Sequence, residues 1–314
     1  MKFGIQVEPQ FGFEYADIAK IATTGLANGF STLWFSDHFM LDKDATDRVL
    51  LDPWLVMTTL VHEFAELRVG SLVFCNSYRN PALHAKMAAT LDVLSQGRLE
   101  FGIGAGWKKI EYEAYGYDFP DDMTRISQLA EAIQVIRKIW VEDKASFDGH
   151  HYSIKELVSF PKPVQKPHPT IWVGTMYGKE HMLKVAAKYG DGINLAWAFT
   201  PEKLQEIFKK LDSYRMNYGI KDEIKKSVGF WTHVFEDESE MEHAIQEGAK
   251  KRNLSIDNYR KRVSSSLWGT PEELIEKLRA YEELGVSHAI FMFPHGEEKN
   301  QAELFGRQVI SRLK

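Results

Sequence analysis

The feature that most constrains this chain is a unit that recurs along it, a short apolar run followed by a stretch with helical spacing. "KFGIQV" (2–7) leads into "EYADIAKIATTGLANG" (14–29), where Ile18, Ile21, Ala22 and Leu26 share one helical face and Gly29 closes the element. The unit returns as "TLWFSD" (32–37) with "PWLVMTTLVHEF" (53–64), "LRVGSLVF" (67–74) with "PALHAKMAATLDVLSQ" (81–96), and "LEFGIGAG" (99–106) with "MTRISQLAEAIQVIRKIW" (123–140). The third helix has well-marked ends: Asn80 can accept from the first-turn amides, Pro81 suits the first helical position, and Gly97 follows the last apolar residue.

A break follows. "EDKASFDGHHYSIKELVSFPKPVQKPHP" (142–169) carries an Asp148-Gly149 hairpin signal and four prolines that exclude a regular core element. Alternation resumes with "TIWVGT" (170–175), "DGINLA" (191–196), "KKSVGFWTHVF" (225–235) and "SHAIFMF" (287–293), with helical segments at 178–190, 201–219, across 238–283 and from about 300. Eight strands alternating with at least eight helices predict a parallel sheet covered by helices. No Gly-, Ser- or Pro-rich linker separates two cores. The expected architecture is therefore α/β, a single domain over residues 1–314 folded as a (β/α)8 TIM barrel with insertions after strands 4 and 7.

Composition excludes several function classes. A formal charge of −5 gives no overall pull toward nucleic acid or an anionic membrane, and the basic window "KKRNLSIDNYRKR" (250–262) reads as solvated helix faces. One cysteine, Cys75, rules out an internal disulfide and fits a reducing cytoplasm. "MKFGIQVEPQ" has no signal-peptide core, no window approaches ~18 uninterrupted apolar residues, and no CxxC, HExxH or EF-hand loop occurs. A soluble cytoplasmic protein without membrane, nucleic-acid or metal partners is expected.

Active sites of such barrels form at the carboxyl ends of the strands. There lie Glu8 and Gln10 after strand one, Asp37 and His38 after strand two, Cys75, Asn76 and Ser77 after strand three, and "GIGAGW" (102–107) at strand four; Gly174 and Thr175 end strand five, Ala196 and Trp197 strand six. An Asp–His pair can cap a helix or satisfy loop amides. At a barrel mouth it also reads as an imidazole that exchanges a proton with a substrate while a neighbouring carboxylate fixes its tautomer. Glycines 102, 104 and 106 are not a dinucleotide fingerprint, because no GxGxxG opens the next helix. They permit close strand packing or, the reading favoured here, the approach of a flat ring or phosphate to the backbone. "VGTM" (173–176), ahead of the fifth helix, offers free amides to an anion. Most tryptophans on the strands (Trp34, Trp172, Trp197 and Trp231) read as core, with Trp107 and Trp197 placed to line a pocket.

"FSDHF", "GSLVFCNSYRNPALHAKMAATLDVLSQGRLEFGIGAGW" and "GTPEELIEKLRAYEELGVSHAIFMFP" together resemble the bacterial luciferase-like superfamily, specifically its branch of oxidoreductases dependent on coenzyme F420, over nearly the whole chain. The resemblance implies a homodimeric barrel that transfers hydride between the deazaflavin coenzyme F420 and an organic small-molecule substrate. It implies cofactor contacts at Asp37, Leu72, Val73, Cys75, Ala105 and Gly106, a phosphate near Gly174 and Thr175, an anionic tail near Lys179, and His38 facing the reacting atom as its proton carrier. It further implies a cis peptide between Leu72 and Val73. An FMN-dependent luciferase-like monooxygenase and a non-catalytic flavin-binding protein are the alternatives. Relatives that oxidise sugar phosphates or secondary alcohols carry a glutamate where this chain has Trp107, so their second acid/base is missing from its usual place; Glu8 is a possible replacement.

Overall fold

The computed structural model describes residues 1–197 and 199–313. Its strands are β1 (Lys2–Val7), β2 (Thr32–Phe35), β3 (Arg68–Ser71) continued by β4 (Phe74–Cys75), β5 (Leu99–Gly104), a hairpin of β6 (Ala145–Asp148) and β7 (Ser153–Leu157), β8 (Ile171–Thr175), β9 (Gly192–Trp197), β10 (Lys225–Val234), β11 (Leu267–Gly269) and β12 (Val286–Met292). Parallel pairing runs β10-β12-β1-β2-β3-β5-β8-β9, and β9 pairs back onto β10, closing the cylinder. Between the strands lie α1 (Tyr15–Ala27), α2 (Pro53–Glu63), α3 (Pro81–Leu94), α4 (Lys109–Tyr115), α5 (Asp122–Val141), α6 (Glu180–Tyr189), α7 (Pro201–Asn217), α8 (Glu238–Lys251), α9 (Ile256–Val263), α10 (Pro271–Glu283) and α11 (Glu298–Phe305). The expected barrel is present, with the hairpin as the insertion after the fourth barrel strand and α8, α9 and β11 as the insertion after the seventh.

Strand residues alternate between two environments, as a period of two requires. Ile5, Val7, Leu33, Phe35, Phe101 and Ile103 point outward into the main core with the helices, each burial worth ~1.5–3 kcal/mol. Their neighbours point into the barrel, where Trp34 and Trp172 meet edge to face at 6.4 Å although β2 and β8 do not pair. Lower in the barrel, Glu100 accepts from Trp172 Nε1 at 2.8 Å and pairs with Arg68 at 2.8 Å, while His288 packs against the Trp172 ring at 4.9 Å. Trp231, expected in the core with most strand tryptophans, is instead exposed.

Local signals explain the element ends. Asn80 Oδ1 accepts from the Ala82 amide at 2.9 Å, and Gly97 takes φ 83°, a left-handed value that favours glycine. The Asp148-Gly149 hairpin forms, and Glu131 of α5 accepts the amides of His150, His151 and Tyr152 at 2.9, 2.8 and 3.1 Å, fixing the turn to the barrel. Tyr152 Oη then accepts from Asn76 Nδ2 at 3.2 Å, so the insertion reaches the end of strand three. Two elements were not anticipated: the loop after β5 contains α4, and β11 interrupts the 238–283 stretch expected to be helical by pairing in parallel with β10. Among the described residues, no helix is long and apolar enough to cross a membrane.

Candidate active site

β2 delivers Asp37 and His38 side by side at the mouth, but they look in different directions chemically. Asp37 is 3 % exposed; its Oδ2 accepts from the Cys75 amide at 2.9 Å and from Arg79 at 2.7 Å. Arg79 continues to Asp52 at 3.3 Å, whose other oxygen caps α2 through the amides of Trp54 and Leu55. Burial pushes the Asp37 carboxyl up to about 6 against the pull of Arg79 and the Cys75 amide. Its Oδ1 is buried without a partner.

Asp37 is therefore not the carboxylate that orients His38. That role falls to Glu111 in the first turn of α4, fully buried, whose Oε2 lies 2.9 Å and Oε1 3.1 Å from His38 Nδ1. Around the same carboxylate converge the Tyr78 hydroxyl at 2.7 Å, the amides of Phe39 and Met40 at 3.1 Å each, and Lys108 Nζ at 3.1 Å. Burial alone would raise its pKa. The hydrogen bond and charge of His38, with Tyr78 and the Met40 amide, instead hold it down to about 2. Glu111 is the partner of His38 that reading strand ends missed, because it lies on a helix inside a segment that looked irregular. Trp107, exposed, meets the His38 ring edge to face at 5.6 Å.

The peptide between Leu72 and Val73 is cis, as the resemblance implied; a second cis peptide joins Ala196 to Trp197. The bulge that contains Val73 corrects the reading of the glycines. A Cβ on Gly104 would stand 2.7 Å from Val73 Cγ2 and one on Gly174 2.6 Å from Val73 Cγ1, while Gly102 faces Val73 and the Ser71 carbonyl. The missing side chains make room for the bulge rather than directly for a ligand. Gly106, at φ 79°, lies against Tyr112 and 2.7 Å (from its would-be Cβ) from Cys75 Sγ. Cys75 is itself packed and 3.1 Å from Tyr112 Oη; burial pushes its thiol up to about 12.

On the opposite wall Gly174 and Thr175 end β8, half buried, but α6 begins only at Glu180, so the amides of 173–176 do not form a helix N-terminus as expected. Lys179 is exposed beside a groove of about 390 Å³ lined by Gly178, Lys209, Lys210 and Tyr214 among others. A cavity of about 490 Å³ opens between the loops after β1, β2 and β12, lined by Phe11, Arg48 and His295 among others. His38 and Asp37 line neither. Glu8, the possible substitute acid, pairs with no cation among the described residues: Gln6 Nε2 donates to it at 2.7 Å, and Gln10 also donates.

The polar atoms that remain unmatched at the mouth are concentrated where the strands two and three end. Asp37 Oδ1 and Asn76 Oδ1 are buried and have no partner among the described residues. A heterocycle with several donors and acceptors would satisfy them, since each such atom left alone is destabilising by ~1–3 kcal/mol.

Comparison with known proteins agrees with this geometry. The family model described as luciferase-like monooxygenase matches residues 1–288. A protein of Kineococcus radiotolerans named F420-dependent glucose-6-phosphate dehydrogenase is 26% identical over 96% of this chain and 94% of its own, and one of the same name from Amycolatopsis mediterranei is 24% identical over 95% and 94%. Among solved structures, an F420-dependent secondary alcohol dehydrogenase in complex with an F420-acetone adduct superposes with TM-score 0.82 at 19% identity, covering 100% of this chain and 99% of that one. That likeness establishes the fold.

Proposed function

The chain belongs to the luciferase-like monooxygenase family, and on that footing we propose that it is an oxidoreductase that transfers hydride between coenzyme F420 and an organic small-molecule substrate at the barrel mouth. Relatives matched over nearly their whole length carry F420-dependent names. The observation that carries the reading in this chain is the pair His38–Glu111: an imidazole anchored through Nδ1 to a buried carboxylate, with Nε2 free of any partner among the described residues.

When bound, the deazaflavin supplies the hydride chemistry. Around it, Asp37 Oδ1 would accept from a ring donor, and the bulge of Leu72 and Val73, with Cys75, Ala105 and Gly106, would wall the ring. Gly174 and Thr175 would hold the phosphate, and Lys179, with Lys209 and Lys210 of the neighbouring groove, would meet the anionic tail. The unmatched polar atoms at strands two and three support this seat. His38 exchanges the proton that accompanies hydride transfer, while Trp107 narrows access to the imidazole. Trp107 stands where sugar-phosphate and alcohol dehydrogenases carry a second acid, and no such substrate is assigned.

The proposed assembly is a cytoplasmic homodimer of one-domain barrels. It is supported by an outward stripe on α3, where Leu83 and Leu94 are exposed and Met87 lies between them, beside exposed Leu55 on α2. Leu83→Glu combined with Leu94→Glu is expected to halve the mass measured by light scattering.

Titration of the purified protein with F420 and with FMN tests the function. Binding of F420 with hydride exchange supports it. FMN binding without F420 binding replaces it with an oxygen-activating flavin monooxygenase, and tight F420 binding with no hydride transfer replaces it with a carrier.

A further inference from the structure

We infer that Glu111 is a positioning residue that fixes the tautomer of His38, placing the ring proton on Nδ1 and the lone pair on Nε2. Its link to catalysis rests on the oxidoreductase reading above; the tautomer itself does not.

The inference follows from counting donors on one carboxylate. Oε1 accepts from the Phe39 and Met40 amides and from Lys108 Nζ, each at 3.1 Å, and Oε2 accepts from Tyr78 Oη at 2.7 Å. An ionised carboxylate has no proton to give. His38 Nδ1, at 2.9 Å from Oε2, can therefore make this contact only as N–H donor, which leaves Nε2 unprotonated in the neutral ring. Nε2 has no partner among the described residues, whereas Nδ1 is committed. When Nε2 takes a proton from a substrate, the imidazolium that forms already has Glu111 as its counter-ion, and Lys108 and Tyr78 keep that carboxylate in place. A substrate donor thus loses its proton to Nε2, and in the reverse direction Nε2 returns it. Nothing else on the ring changes.

The same count states what a single atom would do. In Glu111→Gln the amide oxygen must take the Oε1 position, because three N–H donors converge there. The NH2 group then occupies the Oε2 position and points at His38 Nδ1. Two donors cannot face each other at the shorter 2.9 Å contact, and the oxygen at 3.1 Å already accepts three other N–H donors, so the ring proton moves to Nε2 and the lone pair turns toward residue 111.

The test is long-range 1H–15N correlation on 15N-labelled protein at a pH where the ring is neutral, with His38 identified among the 11 histidines by its loss in His38→Gln. Wild-type protein is expected to show Nδ1 as the pyrrole-type and Nε2 as the pyridine-type nitrogen; Glu111→Gln is expected to exchange them; Tyr78→Phe, which leaves the carboxylate in place, is expected to keep the wild-type pattern. A wild-type spectrum with the proton on Nε2 overturns the inference without any variant, and so does a Glu111→Gln spectrum identical to wild type. If Tyr78→Phe moves the proton, the tautomer is set elsewhere and the inference fails. A parallel F420 titration separates the two claims: no F420 binding removes the proposed function and leaves the tautomer result standing.

Discussion

His288 in the lower barrel and His38 at its mouth are both imidazoles beside a tryptophan, yet only His38 has a carboxylate on one ring nitrogen. Below, His288 Nδ1 faces Ser287 Oγ at 2.9 Å, Nε2 is buried without a partner, and burial pushes the ring down to about 4. The nearby carboxylate, Glu100, is taken by Arg68 and Trp172, neither of which gives up a proton near neutral pH. At the mouth the carboxylate belongs to the imidazole itself, and the second nitrogen is open. The two share a residue type and differ in partner and in burial, His288 being buried and His38 half-buried. A histidine becomes useful where a buried anion holds one nitrogen and leaves the other unclaimed.

Substitutions can break this contrast. The largest effect is expected at the mouth: His38→Ala should slow turnover ~10²–10⁴-fold while F420 affinity measured by titration holds, whereas His288→Gln should leave turnover unchanged. Equal losses from both would erase the distinction. Next comes the lower barrel, where Glu100→Ala leaves Arg68 without its carboxylate, with only the Gly97 and Leu99 carbonyls as partners, and Trp172 Nε1 without its acceptor, and should lower unfolding free energy by ~3 kcal/mol in urea, with hydride transfer retained in the folded fraction. Tyr78→Phe removes one hydrogen bond to a buried anion and should destabilise by ~2 kcal/mol on the same scale.

The smallest effects are pH slopes, and they sharpen the comparison because the two levels titrate in successive windows. A ring whose folded pKa lies below its ordinary 6.5 contributes stability that is complete above 6.5 and is lost as pH falls through about 4; His288→Gln should flatten the unfolding curve in that interval. Glu111, held at about 2 from an ordinary 4.5, contributes stability that is complete above 4.5 and lost as pH falls through about 2. Glu111→Gln should therefore differ most from wild type above 4.5 and converge with it below. The Glu111 contribution outlasts that of His288 in acid.

Particular residues show what could be read in advance. The barrel was legible because each strand carries a closed apolar run and each helix its own caps, as at Asn80, Pro81 and Gly97, signals that need no partner elsewhere in the chain. Asp37 and His38 were legible for the same reason: polar groups that follow an apolar strand have to be at its end. Glu111 was not, since α4 has only seven residues and its Ile110 and Tyr112 do not span enough turns to show a helical period. The loss of a glutamate at Trp107 pointed away from a carboxylate that in fact arrives four positions later. The glycines were visible as missing side chains, but sequence spacing does not say what fills the gap; the answer, Val73, comes from a strand-three bulge some thirty residues upstream.

Cys75 has a practical consequence. A lone thiol that is enclosed, tied to Tyr112 and reluctant to ionise will ignore maleimides and mild oxidants in the native protein. A second cysteine introduced at the tip of the 145–157 hairpin would then be the sole attachment point for a fluorophore, with the native cysteine left in place.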